Sequence, residues 1–349
     1  MKTVNTIISR REFVRRMSTG VAGVTLPLAL SSCTQENPSD IVEQPKKTPV
    51  GTRTGGDGSS GHNSHHTNAD LIPRRPLGKT GLEVSMLAFG GGSQFLKNKD
   101  GEWEPLLEKA LELGINYFDT SHGYAGSEER FAEILAPVRD QIIITTKFDA
   151  RTASGMRTEF EKSLKRLKTD YVDILMIHSV ENKDSVSNIE NGVYKEMLKL
   201  KDEGSIRFLG FSSMNSASKS KELLDNLDFD VVMLAMNPTN YGNFAQVALP
   251  SALKKNVGVL AMKVMRDIVG ETATAEELLH YALDKEGVCS AVVGHFGMNI
   301  LEENAELVKK IGSTSSVPNW HGLEQRLKPF AGPHALCWAR DDYFDGKLV

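Results

Sequence analysis

The strongest constraint on the fold is a strand-then-helix rhythm repeated from Met86 to Lys310. The short apolar runs suited to buried parallel strands are MLAFGG (86–91), NYFDTS (116–121), QIIITTKF (141–148), VDILMIHS (172–179), IRFLGFSS (206–213), VVMLAMN (231–237), GVLAMKVM (258–265) and VCSAVVG (288–294). Helix-period segments lie between them and after the last, among them EPLLEKALELG, SEERFAEILAPV, VYKEMLKLKDEG, FAQVALPSALKKN and MNILEENAELVKKIG. Gly114, Gly204 and Gly287 stand where helix C-caps are expected. Such alternation argues for an α/β fold closed as a (β/α)8 TIM barrel over an open doubly wound sheet. An open nucleotide-binding sheet would show G-x-G-x-x-G after its first strand, and Gly90-Gly91-Gly92 lacks that spacing. Ahead of the first run, RPLGKTGLEVS reads as an N-terminal β-hairpin turned at Gly78-Lys79-Thr80-Gly81.

The 349 residues leave room for one such barrel plus flanking segments. Residues 1–33 read as an export signal of twin-arginine and lipoprotein type: Arg10-Arg11 precede Phe13, Gly20 to Leu30 is apolar, and Leu30-Ser31-Ser32-Cys33 resembles a lipobox. The apolar stretch is shorter than the roughly 20 residues that span a bilayer. The expectation is a periplasmic or cell-envelope protein, held at a membrane by a lipid on Cys33. Residues 34–73 are rich in Gly, Ser, Thr, Asn and Pro and read as a disordered linker, with His62, His65 and His66 solvated rather than ligating a metal. Residues 74–312 then form the barrel, and 313–349 a C-terminal tail packing on it.

Lysine plus arginine number 41 against 45 aspartate plus glutamate, and a net charge of -4 gives no reason to expect nucleic acid as a partner. Cys289 lies in an apolar run and Cys337 in the tail; neither number nor spacing suggests a disulfide framework, a metal site or an iron-sulfur cluster. No oligomer signal stands out.

Chemistry concentrates on Asp119, Tyr124, Lys147 and His178. Asp119 closes the second run, Tyr124 follows it by five residues, Lys147 closes the third and His178 the fourth. In a barrel these strands are neighbours about 4.8 Å apart, and their C-terminal ends meet at the mouth where catalytic groups sit. A phenol with an ordinary pKa of about 10 exchanges protons poorly at neutral pH. A buried Lys147 ammonium beside it would lower that value, Asp119 would keep the lysine charged, and His178 would orient a substrate carbonyl. No side chain donates hydride, so a separate carrier is required.

The chain resembles the aldo-keto reductases from about Arg74 to Lys310. RPLGKTGLEVSMLAFGGG is similar to that family's hairpin and first strand, YFDTSHGYAGSEERFAEIL to its Asp and Tyr signature, LKRLKTDYVDILMIHS to the segment reaching the histidine, GSIRFLGFSS to its fifth strand, and LEENAEL to its last barrel helix. The resemblance implies a (β/α)8 fold, NADP or NAD extended across the strand C-termini, and Asp119, Tyr124, Lys147 and His178 as the catalytic tetrad. It implies an NAD(P)-dependent oxidoreductase interconverting an aldehyde or ketone, including a sugar, with its alcohol, Tyr124 being the proton donor. The competing reading is a binding or regulatory subunit that keeps the barrel and cofactor pocket with little turnover.

Cofactor positions implied by the resemblance are Ser212, Ser213, Met233, Met236, Asn237, Lys263, Gly294, Glu303 and Asn304. Ser213 stands where the family has asparagine, and Met233 and Met236 replace its Gln and stacking Tyr, so nicotinamide packing differs; Met236 is expected to cover the ring. Lys263 is a candidate for the pyrophosphate. Ile300 stands where a basic residue often precedes Glu303-Asn304, which leaves NADP versus NAD open. Trp103, Trp320 and Trp338 are either pocket or packing residues.

Overall fold

A computed structural model describes residues 71–270, 272–314 and 318–346. The signal reading, most of the linker, Cys33 and the three linker histidines lie outside the described residues. Just ahead of Arg74, Ile72 is buried and its backbone N–H donates to the Leu113 carbonyl at 3.0 Å.

Strands β1 (Arg74–Pro76) and β2 (Glu83–Ser85) pair antiparallel as the hairpin. The barrel strands are β3 (Leu87–Gly90), β4 (Tyr117–Asp119), β5 (Ile143–Phe148), β6 (Val172–Ile177), β7 (Ile206–Ser213), β8 (Val231–Ala235), β9 (Gly258–Met262) and β10 (Val288–Val293). Each is parallel to its sequential neighbour, and β10 closes on β3 through the Ala291–Leu87 to Val293–Phe89 register. This is the (β/α)8 barrel with its N-terminal hairpin. Nearly every strand residue is buried because helices cover the outer face and side chains fill the interior, which explains the unbroken apolar runs.

The hairpin closes the end of the barrel away from the strand C-termini. Gly78, with φ +51°, lies against the Gly258 backbone so closely that a Cβ there would stand 2.3 Å from the Gly258 nitrogen. Arg75 donates to the carbonyls of Leu283 and Val288, tying the hairpin to the chain entering β10.

Several elements are shorter than their sequence runs. The NYFDTS run is strand only at Tyr117–Asp119, and VDILMIHS leaves the sheet after Ile177, so His178 begins a loop. FAQVALPSALKKN splits into Phe244–Val247 and Leu249–Lys254, since Pro250 has no N–H to continue a helix. Likewise the helix Ser127–Leu135 tightens into a 3-10 segment at Ala136–Gln141, which holds Pro137. Gly114 and Gly204, at φ 84° and 75°, follow the C-caps Leu113 and Glu203.

The tail carries a helix at Trp320–Leu327 and then runs back to the barrel mouth. Trp320 packs edge-on to Tyr281 at 5.4 Å, and Trp338 is fully buried against Tyr241. Trp103 is buried under Arg130. All three tryptophans are packing residues. Removing a buried ring of this size costs about 3–5 kcal/mol, so Trp338 anchors the chain only a few residues ahead of the mouth.

Candidate active site

Parallel registration puts Asp119 of β4 beside Thr145 and Lys147 of β5 beside Met176, so the acid and the amine share one corner of the mouth. Lys147 Nζ donates to Asp119 Oδ2 at 2.7 Å and to the Thr120 carbonyl at 2.8 Å. The pair is almost wholly buried, at 1% and 5% side-chain exposure. Burial lifts the Asp119 carboxyl above its ordinary value in spite of the lysine, and Asp119 Oδ1 has no hydrogen-bond partner among the described residues.

Tyr124 sits on a tight turn after β4, where its N–H donates to the Ser121 carbonyl and its carbonyl accepts from Ser127. That turn brings the phenol over the mouth. Lys147 Nζ lies 4.8 Å from the centre of its ring, facing the π surface rather than the hydroxyl. The hydroxyl donates instead to Asp345 Oδ2 of the tail at 2.6 Å and stands 3.5 Å from His178 Nε2. Here the sequence expectation is corrected. Burial, followed by the Asp345 and Asp119 carboxylates, pushes the Tyr124 phenol well above its ordinary pKa, because the nearest charge to its oxygen is negative.

His178 is 3% exposed, and its Nδ1 lies 2.9 Å from Asp149 Oδ1. The chain turns sharply after it, with Ser179 at φ 48°, a conformation that costs a non-glycine residue about 1–3 kcal/mol. Two contacts hold that turn: Ser179 N–H donates to Ser212 Oγ at 2.9 Å, and Arg151 Nη2 donates to the carbonyls of His178 and Ser179. Burial opposes a charged imidazole, yet the bonds to Asp149 and Asp345 hold His178 above its ordinary value.

A tail carboxylate thus occupies the point where Tyr124 and His178 converge. Asp345 Oδ1 accepts from Lys263 Nζ and, at 2.8 Å, from the Tyr343 hydroxyl, while Oδ2 takes Tyr124 and lies 3.5 Å from His178 Nε2. Against the cost of burial, Lys263 and His178 hold this carboxyl well below the ordinary carboxylate range. Gly346 follows at φ +83°, and a Cβ there would stand 2.0 Å from Tyr124 Cδ1, so the tail lies flat on the phenol only because residue 346 has no side chain.

From Asp119 and Tyr124 a cavity of about 460 Å³ runs past Met233, Lys263 and Arg266 to Gly294, Phe296 and Ile300. Of the implied cofactor residues, Met233, Lys263 and Gly294 line it. Met236 does not: it is buried in the barrel wall, its N–H donating to the Met262 carbonyl, so Met233 takes the groove-facing place expected of Met236. Ser213 is turned into the framework, donating to the Val180 carbonyl, and Asn237 braces the Lys263 carbonyl at 3.1 Å. Glu303 is exposed, whereas Asn304 is buried with its Nδ2 lacking a partner among the described residues.

Residues missed in the sequence are Asp149, Arg151, Arg266, Tyr343 and Asp345. Arg266 and Lys97 line the groove and place positive charge where Ile300 suggested none. A dinucleotide fits this arrangement: the groove is lined by three cations, Lys97, Lys263 and Arg266, and by the bare backbone of Gly294.

The sequence matches the Aldo/keto reductase family over residues 86–267. It is similar to the L-galactose dehydrogenase of Arabidopsis thaliana, 30% identical over 69% of this chain and 90% of that protein. It also resembles the D-threo-aldose 1-dehydrogenase of a Pseudomonas species, 26% identical over 53% of this chain and 67% of that protein. Among solved structures, an aldo-keto reductase described as putative from Pseudomonas aeruginosa superposes with a TM-score of 0.61 at 28% identity, covering 70% of this chain and 98% of the other.

Proposed function

This chain belongs to the aldo/keto reductase family and is an oxidoreductase of carbonyl and alcohol substrates, and from that premise we propose that it interconverts a sugar aldehyde or ketone with its alcohol at the Tyr124 and His178 corner. The observation that carries the reading is the approach of two proton-bearing groups, Tyr124 Oη and His178 Nε2, to one oxygen atom, that of Asp345 Oδ2, at 2.6 and 3.5 Å. A substrate carbonyl oxygen placed there accepts two hydrogen bonds.

A nicotinamide cofactor, NADP or NAD, supplies hydride to the carbonyl carbon or accepts it in the reverse direction. Lys97, Lys263 and Arg266 are the cations that would hold its phosphates, with Gly294 lining the same groove. Tyr124 gives its hydroxyl proton to the oxygen that gains charge, and His178 holds that oxygen in place. Lys147, locked on Asp119, sets a fixed positive charge under the Tyr124 ring, which favours the phenolate left behind once the tail carboxylate is away. Relatives named as dehydrogenases of L-galactose and of D-threo-aldoses support a sugar as substrate.

The arginine pair and Cys33 support export by the twin-arginine route and a lipid anchor. A folded-protein route carries a cofactor already bound, so the expected holoenzyme retains its nucleotide and recycles it between two substrates. In Tyr124→Phe, turnover of a panel of aldoses and ketones should fall about 100- to 10,000-fold. Unchanged turnover in that variant refutes the assignment. A wild-type protein that binds nucleotide but turns over none of the panel supports the regulatory-subunit reading instead.

A further inference from the structure

The Nδ1 side of His178 is built as carefully as the side facing the mouth. Asp149 lies two residues beyond Lys147, just past the end of β5 at Phe148, and its Oδ1 meets Nδ1 at 2.9 Å. The backbone that carries this carboxylate is fixed, because the Asp149 N–H donates to Glu159 Oε2 at 2.8 Å and its carbonyl accepts from Arg151 Nη1 at 2.9 Å. Arg151 is in turn paired with Asp184. Gly123 leaves room for the carboxylate: a Cβ there would stand 2.8 Å from Asp149 Oδ2 and crowd it from the side away from the histidine-bound oxygen.

We infer that Asp149 is a positioning residue of the reaction, which holds the Nδ1–H of His178 and keeps the ring a charged Nε2–H donor to the substrate oxygen. This deepens the proposed function and rests on it. With Nδ1–H committed to Asp149, a neutral ring presents a bare Nε2, which repels a developing alkoxide. A ring carrying the second proton presents Nε2–H and stabilises that alkoxide. The carboxylate therefore selects both the tautomer and the charge.

The other groups near the ring come from β4 and its loop, from β5 and from the tail. From the β4 loop come Ser121 Oγ, 3.4 Å from Nδ1, and the Tyr124 hydroxyl at Nε2. Asp119 at the end of β4 and Lys147 on β5 bring opposite charges, and Arg151 bonds the His178 carbonyl rather than the ring. From the tail, Asp345 lies at Nε2, the place that a substrate oxygen must take. During turnover Asp149 is thus the carboxylate that stays on the ring.

Asp149→Asn keeps the shape and removes the charge. An adjacent opposite charge moves a titration by about 1–3 units, and partial exposure of Asp149 argues for the lower end. In the reductive direction, kcat/KM should fall with rising pH as His178 loses its proton, and in Asp149→Asn this fall should begin about one unit lower. The same displacement is expected in an NMR titration of the His178 ring, followed in the Asp345→Asn background so that the tail carboxylate does not contribute. Asp149→Glu should recover part of the shift. A variant that loses activity evenly across pH, with an unmoved His178 titration, overturns the inference. Loss of activity in Tyr124→Phe together with an unmoved titration in Asp149→Asn refutes the Asp149 role alone, whereas an active Tyr124→Phe refutes the reading beneath it.

Discussion

Replacing Asp345 with asparagine should make this protein a better enzyme. The carboxylate and a substrate carbonyl oxygen need the same point between Tyr124 and His178, so each binding event must first displace the tail. A charge-assisted hydrogen bond contributes about 1.5–3 kcal/mol net. Asp345 makes such bonds to Tyr124 and to Lys263, in a pocket where its side chain and that of Lys263 are 13% and 10% exposed. Desolvation of the buried pair offsets part of that gain, leaving about 2 kcal/mol to hold the tail down. At 1.4 kcal/mol per factor of ten, losing it should lower KM for the carbonyl substrate by about 30-fold. Turnover at saturation should hold or rise. The assay is steady-state kinetics on wild type and Asp345→Asn over a range of one aldose, with nucleotide affinity measured separately because Lys263 is also freed. A KM that is unchanged or raised would refute the reasoning, for it would mean that Asp345 binds substrate or stands aside from it.

Gly346→Ala should change KM in the same direction as Asp345→Asn, since the new Cβ would run into Tyr124 Cδ1 at 2.0 Å and lift the tail by steric rather than electrostatic means; kinetics identical to wild type would show that the tail is not seated during turnover. His295 tests pH and stability together: it is fully buried, both ring nitrogens lack partners among the described residues, and burial pulls its pKa down to about 3. It stays neutral when folded but takes a proton below about 6.5 when unfolded, so it should drain stability as pH falls from about 6.5 towards 3, at up to about 1.4 kcal/mol per unit. Urea unfolding of His295→Leu should show a flatter acid limb, and an unchanged pH dependence would count against a neutral buried ring.

Much of the architecture is legible along the chain, because a strand buried on both faces must be apolar throughout and the intervening helices must be amphipathic. Asp119, Lys147 and His178 stand out as polar residues ending apolar runs, and Tyr124 follows one closely. Strand ends were harder to place. Thr120, Ser121 and His178 continue their runs in sequence but lie beyond the strands, because their backbones turn into loops. The groove-facing methionine is hard to place from sequence for a related reason: Met233 and Met236 look alike, and only their places relative to the end of β8 at Ala235 separate them.

By itself the sequence determined the barrel, its hairpin and the corner where Asp119, Tyr124, Lys147 and His178 meet, since those follow from local periodicity and the neighbour relations of consecutive strands. The tertiary structure decided what surrounds each proton-bearing atom. Asp345 lies 221 residues from Tyr124 and 167 from His178 along the chain, and no periodicity or spacing links them. Asp149 reaches His178 only because β5 and β6 pair in one register and Gly123 leaves the space. The acidity of the phenol and the charge of the imidazole depend on burial and then on the nearest carboxylate oxygen, within about 3 Å, and both are properties of the folded chain.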